Sequence, residues 1–470
     1  MQKNATGAET ENSSFVRALG LPSAILLVAG IMIGSGAFKK IVPMVQTLHN
    51  GHYILLAWII AGIITMFGAF TYAGLASMTT QTGGVYEYFR VIFGDFIAFI
   101  FGWSAFTIIG SGAIAALAFV CSQSVNTLVT LPDPLAAFKD IGVGNAVFPF
   151  ADSGIKILGV LLIALLTWYN CRGIKKGGVL NNIVTSAKII GILLLIVAGL
   201  FFSGGPVANP GSSAVAGTPQ GIALVSGLFG AMLSALWAYD GWTNITYVTG
   251  EIKNPTRNVP LAIIGGVGIA MLLYVLLNYA YMRVLPLEQL AGLGANKIAA
   301  AEVAGTLMGK TGSLIIALLI ITCTFGALNG CIISYPRIYF RMAQEKVFFK
   351  KAAEIHPFFR TPNVALIYSA AWSCILLVSG TFDQITNLII FASYAFFALG
   401  AVAVIRMKMM GVIKSKVIGY PIIPYIIILF CIALIINTII TQPGASAIGL
   451  LLVLSGAPFY FYFKRRYKEI

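Results

Sequence analysis

The chain has 470 residues, 59% of them hydrophobic and only 10% charged, with a formal net charge of +15. A core wrapped in a polar shell cannot be built from that mixture, so a soluble domain is excluded and an integral membrane protein is expected. The basic residues form short clusters between apolar runs instead of one long stripe, which reads as membrane topology and not as a nucleic-acid surface.

The first fifteen residues are polar, with no apolar stretch behind a basic start, so no cleavable signal peptide is expected. The Asn-x-Ser/Thr triplets at Asn4 and Asn12 fall in this tail, where an expected cytoplasmic location leaves them without meaning. A helix needs roughly 17–25 mostly apolar residues to cross the hydrocarbon. On that measure the sequence predicts an all-α polytopic protein of twelve spans. They cover Leu21–Leu48, His52–Met78, Phe96–Leu128, Ile155–Tyr169, Asn181–Phe202, Gly221–Gly250, Pro260–Leu285, Gly312–Phe340, Asn363–Gly380, Phe382–Met407, Tyr420–Thr441 and Ala445–Phe463.

Span 1 contains Gly30-Ile31-Met32-Ile33-Gly34-Ser35-Gly36-Ala37-Phe38, three glycines and a serine where a membrane helix should be closed. Each glycine disfavours helix by about 1 kcal/mol relative to alanine, and in hydrocarbon every backbone group freed by a break must find a partner inside the protein. A half-helix ending near Gly30 leaves carbonyls at the break, and one starting near Gly34 aims N–H groups at it. Together these termini suit a zwitterion such as an amino acid. The competing reading is that the glycines only let another helix approach closely.

With the N-terminus inside, the clusters at Arg90, Arg172 to Lys176, Lys253 and Arg257, Arg341 to Arg360, Arg406 to Lys416 and Lys464 to Lys468 all fall in cytoplasmic loops. About 22 of the 30 Lys and Arg are then cytoplasmic and about seven outside, and both termini are expected in the cytoplasm.

Lys188 lies deep in span 5, either as a functional group near the carbonyls of span 1 or as a snorkelling side chain. A second break is expected in span 6, at Trp237-Ala238-Tyr239-Asp240-Gly241-Trp242-Thr243-Asn244, where Asp240-Gly241 is turn chemistry. Asp240 is the one acidic residue near mid-span, and it either faces a site or caps the second half of the helix. Trp237 and Tyr239 are candidates to close over a substrate, and Ser111, Thr324 and Asn329 to line a cavity. Five spans separate the two breaks. Because five is odd, a five-span repeat arrives inverted and sets the broken helices face to face, the architecture of inverted-repeat transporters. The predicted divisions are a tail at 1–20, repeats at 21–205 and 221–407, two further spans in 420–463 and a tail at 464–470. The three histidines lie in or beside loops and the six cysteines show no metal spacing, so no cofactor or metal is expected.

Gly34-Ser35-Gly36, the Gln81-Thr82-Gly83-Gly84-Val85-Tyr86-Glu87-Tyr88 loop, Lys188, Trp237 to Trp242, the Glu251, Asn254-Pro255 and Pro260 loop, and Phe325-Gly326-Ala327-Leu328-Asn329-Gly330 through Arg337 resemble the amino acid–polyamine–organocation superfamily. Within it the chain is most similar to the L-amino acid transporter branch, over about residues 20 to 465. The resemblance implies a LeuT-like five-plus-five inverted repeat with two added helices, and sodium-independent exchange of L-amino acids. A proton-coupled symporter is the alternative. It places the substrate carboxylate on the amides of Ile33, Gly34, Ser35 and Gly36 and the amino group on carbonyls near Ile31 and Trp237, Ala238 and Tyr239. Asp240 falls beside them in the motif, Trp237 takes the place of the gate, and Lys188 that of a sodium ion. Animal relatives pair with a heavy chain through a cysteine after span 3, and residues 129–154 contain none, so no disulfide-linked partner is expected. Two departures stand out: Ala37 replaces a bulkier residue, and Lys39-Lys40 stand in the outer half of span 1.

Other classes fit less well. A channel needs a ring of charges or a filter motif, an intramembrane enzyme needs an acidic partner or nucleophile beside Asp240, and a scaffold needs a large loop domain.

Overall fold

The computed structural model describes residues 19–76, 83–141, 148–172, 177–201, 217–294, 297–359, 361–413 and 417–466, with only the backbone at 177–181, 250 and 251. The tail with Asn4 and Asn12, the Gln81-Thr82 pair, the predicted span ends at Met78 and Phe202, Lys175, Lys176, Arg360, Lys416 and Lys468 lie outside the described residues. Among the described residues the chain is helical, and a lone parallel bridge joins Leu19 to Ile252.

Among the described residues ten helices are long and apolar enough to cross a membrane, and the shorter apolar helices Leu21–Met32 and Asn363–Ser379 occupy predicted spans 1 and 9. Span 1 is broken into Leu21–Met32, Gly36–Lys39 and Ile41–Leu48, and span 6 into Gly221–Ala238 and a 3-10 stretch, Trp242–Glu251. Span 2 is Gly51–Ala76, span 4 Ser153–Cys171, span 5 Gly177–Phe201 and span 7 Pro255–Val284. Span 10 is Phe382–Met409 and span 11 Ile422–Thr441. Span 8 begins at Ala299, well before the predicted Gly312, because an added helical piece precedes a kink at Gly309, whose φ of 61° only glycine adopts freely. Span 12 is interrupted between Pro443–Leu454 and Gly456–Arg466, where Ser455 Oγ accepts from Trp103 Nε1 at 2.9 Å.

Span 3, Asp95–Leu128, carries one π turn, Ala105–Ile109. A π turn loosens the backbone ladder, and two side chains take up its carbonyls: Tyr339 donates to Ala105 O at 2.8 Å and Trp372 to Thr107 O at 2.8 Å. The helical chain thereby opens a wall beside the centre without leaving those carbonyls unpaired.

The breaks face each other through a regular packing pattern. Span 1 packs on spans 7 and 5, span 6 on spans 2 and 10, span 5 on spans 7 and 8, and span 10 on spans 2 and 3. Shifting every span number by five exchanges the first two sets and the last two. Large apolar side chains such as Leu161, Leu194, Leu429 and Ile440 point outward, as helix faces in contact with lipid tails do.

Candidate functional site

The first break opens because three residues, Ile33 to Ser35, leave the helix between Met32 and Gly36. Ile33 N–H still donates to Ala29 O at 2.8 Å, and Gly34 N–H turns back to Met32 O at 2.8 Å. The amides of Ile33 and Gly34 are therefore engaged within the chain, contrary to expectation. Ser35 and Gly36, at the start of the next turn, hold the orphan donors that any helix start carries.

At the second break Gly241 occupies the cap position with φ of 97° and brings no side chain to the 3-10 stretch. The tight turn demands a positive φ, which glycine supplies, and Asp240 stands one residue before it with its carboxylate accepting from the Gly241 N–H. Among the described residues no ion pair includes Asp240.

The two breaks are pressed together by reciprocal glycines. A Cβ on Gly36 would lie 2.5 Å from Cα of Ala238, and one on Gly241 would lie 2.7 Å from Cγ2 of Ile31. Each glycine seats the other break's chain. The Tyr274 hydroxyl lies between both, 2.7 Å from Met32 O and 3.1 Å from Ala238 O. Tyr239 donates to Trp58 O at 3.2 Å, so its ring packs against span 2 and is not a lid over the cavity, contrary to one expectation.

Lys188 is 1% exposed, and its Nζ donates to Gly30 O at 3.1 Å and Ile33 O at 3.4 Å. The ammonium reaches the broken helix, which rules out snorkelling to the interface. Span 5 comes this close because Gly30 presents no side chain to Thr185, one turn before the lysine.

A cavity lies where the breaks meet, bounded by Gly34, Ser35, Gly36, Trp237 and Asp240. Spans 3 and 8 add Ala113, Leu117, Cys331 and Tyr335, and the 3-10 stretch adds Asn244. A second cavity shares Asp240 and Tyr335 with the first and runs past the π turn toward Val85. Of the other polar candidates, Thr324 bonds to Ile320 O in its own helix and Asn329 accepts from Asn170, so both brace helices; Ser111 is buried beside the Tyr339 hydroxyl and does not line either cavity.

Trp237 spans the cavity on the side of Lys39 and Lys40. Its Nε1 donates to Ser35 Oγ at 3.3 Å, and its ring meets Phe382 edge-on at 6.1 Å. Above Phe382, Lys40 Nζ pairs with Asp383 Oδ1 at 2.6 Å and donates to Thr386 Oγ1 at 2.9 Å, while Lys39 Nζ donates to Gln123 Oε1 at 2.9 Å. The second half of span 1 is thereby tied to spans 10 and 3. Lys39, Lys40 and Lys156, near span ends, are buried as Lys188 is. Charges near a span end read as interfacial, and only the fold brings Asp383 to Lys40.

Beyond the second cavity the helix Val85–Phe93 lies between spans 2 and 3, with Glu87 pairing with Arg90 at 2.6 Å and with Arg341 at 3.4 Å. Burial alone would raise the Glu87 carboxyl, but the Arg90 hydrogen bond and the charges of Arg341 and Arg90 outweigh it and hold it below its ordinary value. Among the described residues no group of three metal-ligating side chains occurs, and the six cysteines are free.

The family model described as "Amino acid permease" matches residues 19–459. The Serine/threonine exchanger SteT of Bacillus subtilis is 29% identical, with 97% of this chain and 99% of that protein covered. The b(0,+)-type amino acid transporter 1 of Mus musculus is 29% identical over 98% of this chain and 91% of its own length. The Large neutral amino acids transporter small subunit 2 of Mus musculus is 28% identical over 97% of this chain and 84% of its own.

Proposed function

The chain belongs to the amino acid permease family, and from that premise we propose that it exchanges L-amino acids across a membrane by alternating access, without sodium and without covalent chemistry. The observation that carries the reading is the meeting of two broken helices at one cavity, with a buried ammonium on the carbonyl side and orphan amides opposite. The substrate carboxylate rests on the amides of Ser35 and Gly36, and Gly34 leaves room for it. The amino group rests among carbonyls at Ile31 and the span 6 turn. Ala238 and Tyr239 contribute backbone only, and Trp237 gates the cavity. Lys188 holds the span 1 bend in the place that a sodium ion would need.

The repeats run over 21–205 and 221–407, a division supported by the exchange of packing partners on a shift of five spans. Both termini face the cytoplasm, supported by the placement of basic loops. The Lys40–Asp383 end is then extracellular and closed, and the Glu87–Arg341 end is cytoplasmic. No disulfide-linked partner is needed, as residues 129–154 contain no cysteine. The relatives' names support amino acids as substrates.

Counterflow in proteoliposomes tests this. Preloaded unlabelled amino acid should drive uptake of labelled amino acid in sodium-free buffer, and a dependence on sodium would contradict the role given to Lys188. A second reading, proton-coupled symport, draws on the fact that among the described residues Lys188 meets only neutral carbonyls as hydrogen-bond acceptors. It predicts uptake into empty vesicles driven by an imposed proton gradient.

A further inference from the structure

We propose that Asn244 reads the substrate side chain, so that among neutral amino acids of one shape the protein prefers those carrying a hydroxyl or carboxamide. The proposal rests on the exchange reading above and adds a side-chain subsite to it.

Asn244 is 1% exposed and lines the central cavity together with Asp240. Neither Nδ2 nor Oδ1 of its side chain has a hydrogen-bond partner among the described residues. Turning the amide over changes nothing, because both ends are open. The backbone there is held: Asn244 N–H donates to Gly241 O at 3.1 Å, fixing the residue one short turn from the break. Nearly all buried polar groups in folded proteins are paired, and leaving one open is costly, so a double orphan facing a cavity marks a place where something polar is received.

The chemistry of the amide selects the guest. It offers one donating and one accepting end, and a hydroxyl can answer both with a single atom, a carboxamide with two. An aliphatic side chain of the same shape answers neither. A carboxylate in the same place would share one cavity with the Asp240 carboxylate. The remaining walls include Ala113, Leu117, Trp237 and Cys331. A site built to hydrogen-bond a hydroxyl rejects the analogue that lacks it far more strongly than an apolar pocket rejects an added hydroxyl. A hydroxyl side chain meets that demand.

Threonine and valine are the test pair, since they differ by one hydroxyl at equal shape. In counterflow with purified full-length protein, the ratio of initial rate to apparent KM should favour threonine over valine by about tenfold or more. Asn244→Leu should bring that ratio toward one through loss of threonine exchange. If Asn244→Leu does not reach the membrane, Asn244→Ala is expected to lower the ratio in the same direction. A wild-type ratio near one overturns the proposal, as does a ratio that either variant leaves unchanged. Exchange of other amino acids with neither threonine nor valine carried also overturns it while the exchange reading stands. No exchange of any amino acid overturns that reading and this subsite with it.

Discussion

Lys188 and Lys40 are both 1% exposed, yet they are held in opposite ways. Among the described residues Lys188 donates only to backbone carbonyls of the bend in span 1, whereas Lys40 meets the carboxylate of Asp383, whose own side chain is 50% exposed. An ammonium held by carbonyls completes the bend itself, and without it those buried acceptors would lose their partner. An ammonium paired with a half-exposed carboxylate joins two separate spans, and both charges can be rehydrated when the spans part. One lysine is part of the site's shape and the other is a latch across its outer end.

Lys188→Ala should have the largest effect: exchange falls at least about tenfold with a rise in the apparent substrate constant, since about 1–3 kcal/mol follows from leaving buried acceptors open. Wild-type transport in that variant would erase the difference between the two lysines. Next comes the latch. Lys40→Ala and Asp383→Ala should each shift exchange several-fold, the double variant should be no worse than either, and the swap Lys40→Asp with Asp383→Lys should recover part of the loss. Additive losses would show that the pair is not acting as one unit.

Asp240 sharpens the contrast from the acidic side, as a cavity carboxylate with no ion pair among the described residues. A buried carboxylate gains most from a charged partner, so lysine or arginine uptake is expected beside that of neutral amino acids. Asp240→Asn should then reduce cationic uptake more than alanine uptake. Equal loss of both, or no cationic uptake in the wild type, would remove it from the side-chain subsite.

The smallest effect is expected at the opposite end. The folded Glu87 carboxyl lies below its ordinary value of 4.5, so its contribution to stability is present above about that pH and is lost as pH falls through the lower folded value. Glu87→Gln should flatten the acid side of the melting temperature against pH in detergent. An unchanged acid limb would mean that the Glu87 pairs contribute nothing measurable.

The twelve apolar runs were legible because a span is a local property, a stretch of chain long enough to cross. Both breaks were legible for the same reason, in Gly34-Ser35-Gly36 and Asp240-Gly241. Lys188 stood out as a cation in mid-run. What the sequence did not disclose is pairing across distance: Lys40 and Asp383 lie 343 residues apart and look separately like interfacial charges. Asn244 was hidden for a different reason. An asparagine just after Asp-Gly reads as turn chemistry, and only its two empty hydrogen-bonding ends, seen in three dimensions, mark it as facing a cavity. The engagement of the Ile33 and Gly34 amides was equally out of reach, since it depends on exactly where the helix lets go.

The most direct measurement is efflux of labelled serine from proteoliposomes in sodium-free buffer, with and without unlabelled amino acid outside and with the proton gradient clamped at zero. Exchange predicts rapid efflux only when external amino acid is present, and no change when sodium or a proton gradient is added. Efflux of equal rate into buffer without amino acid, or transport that appears only under a proton gradient, would contradict it.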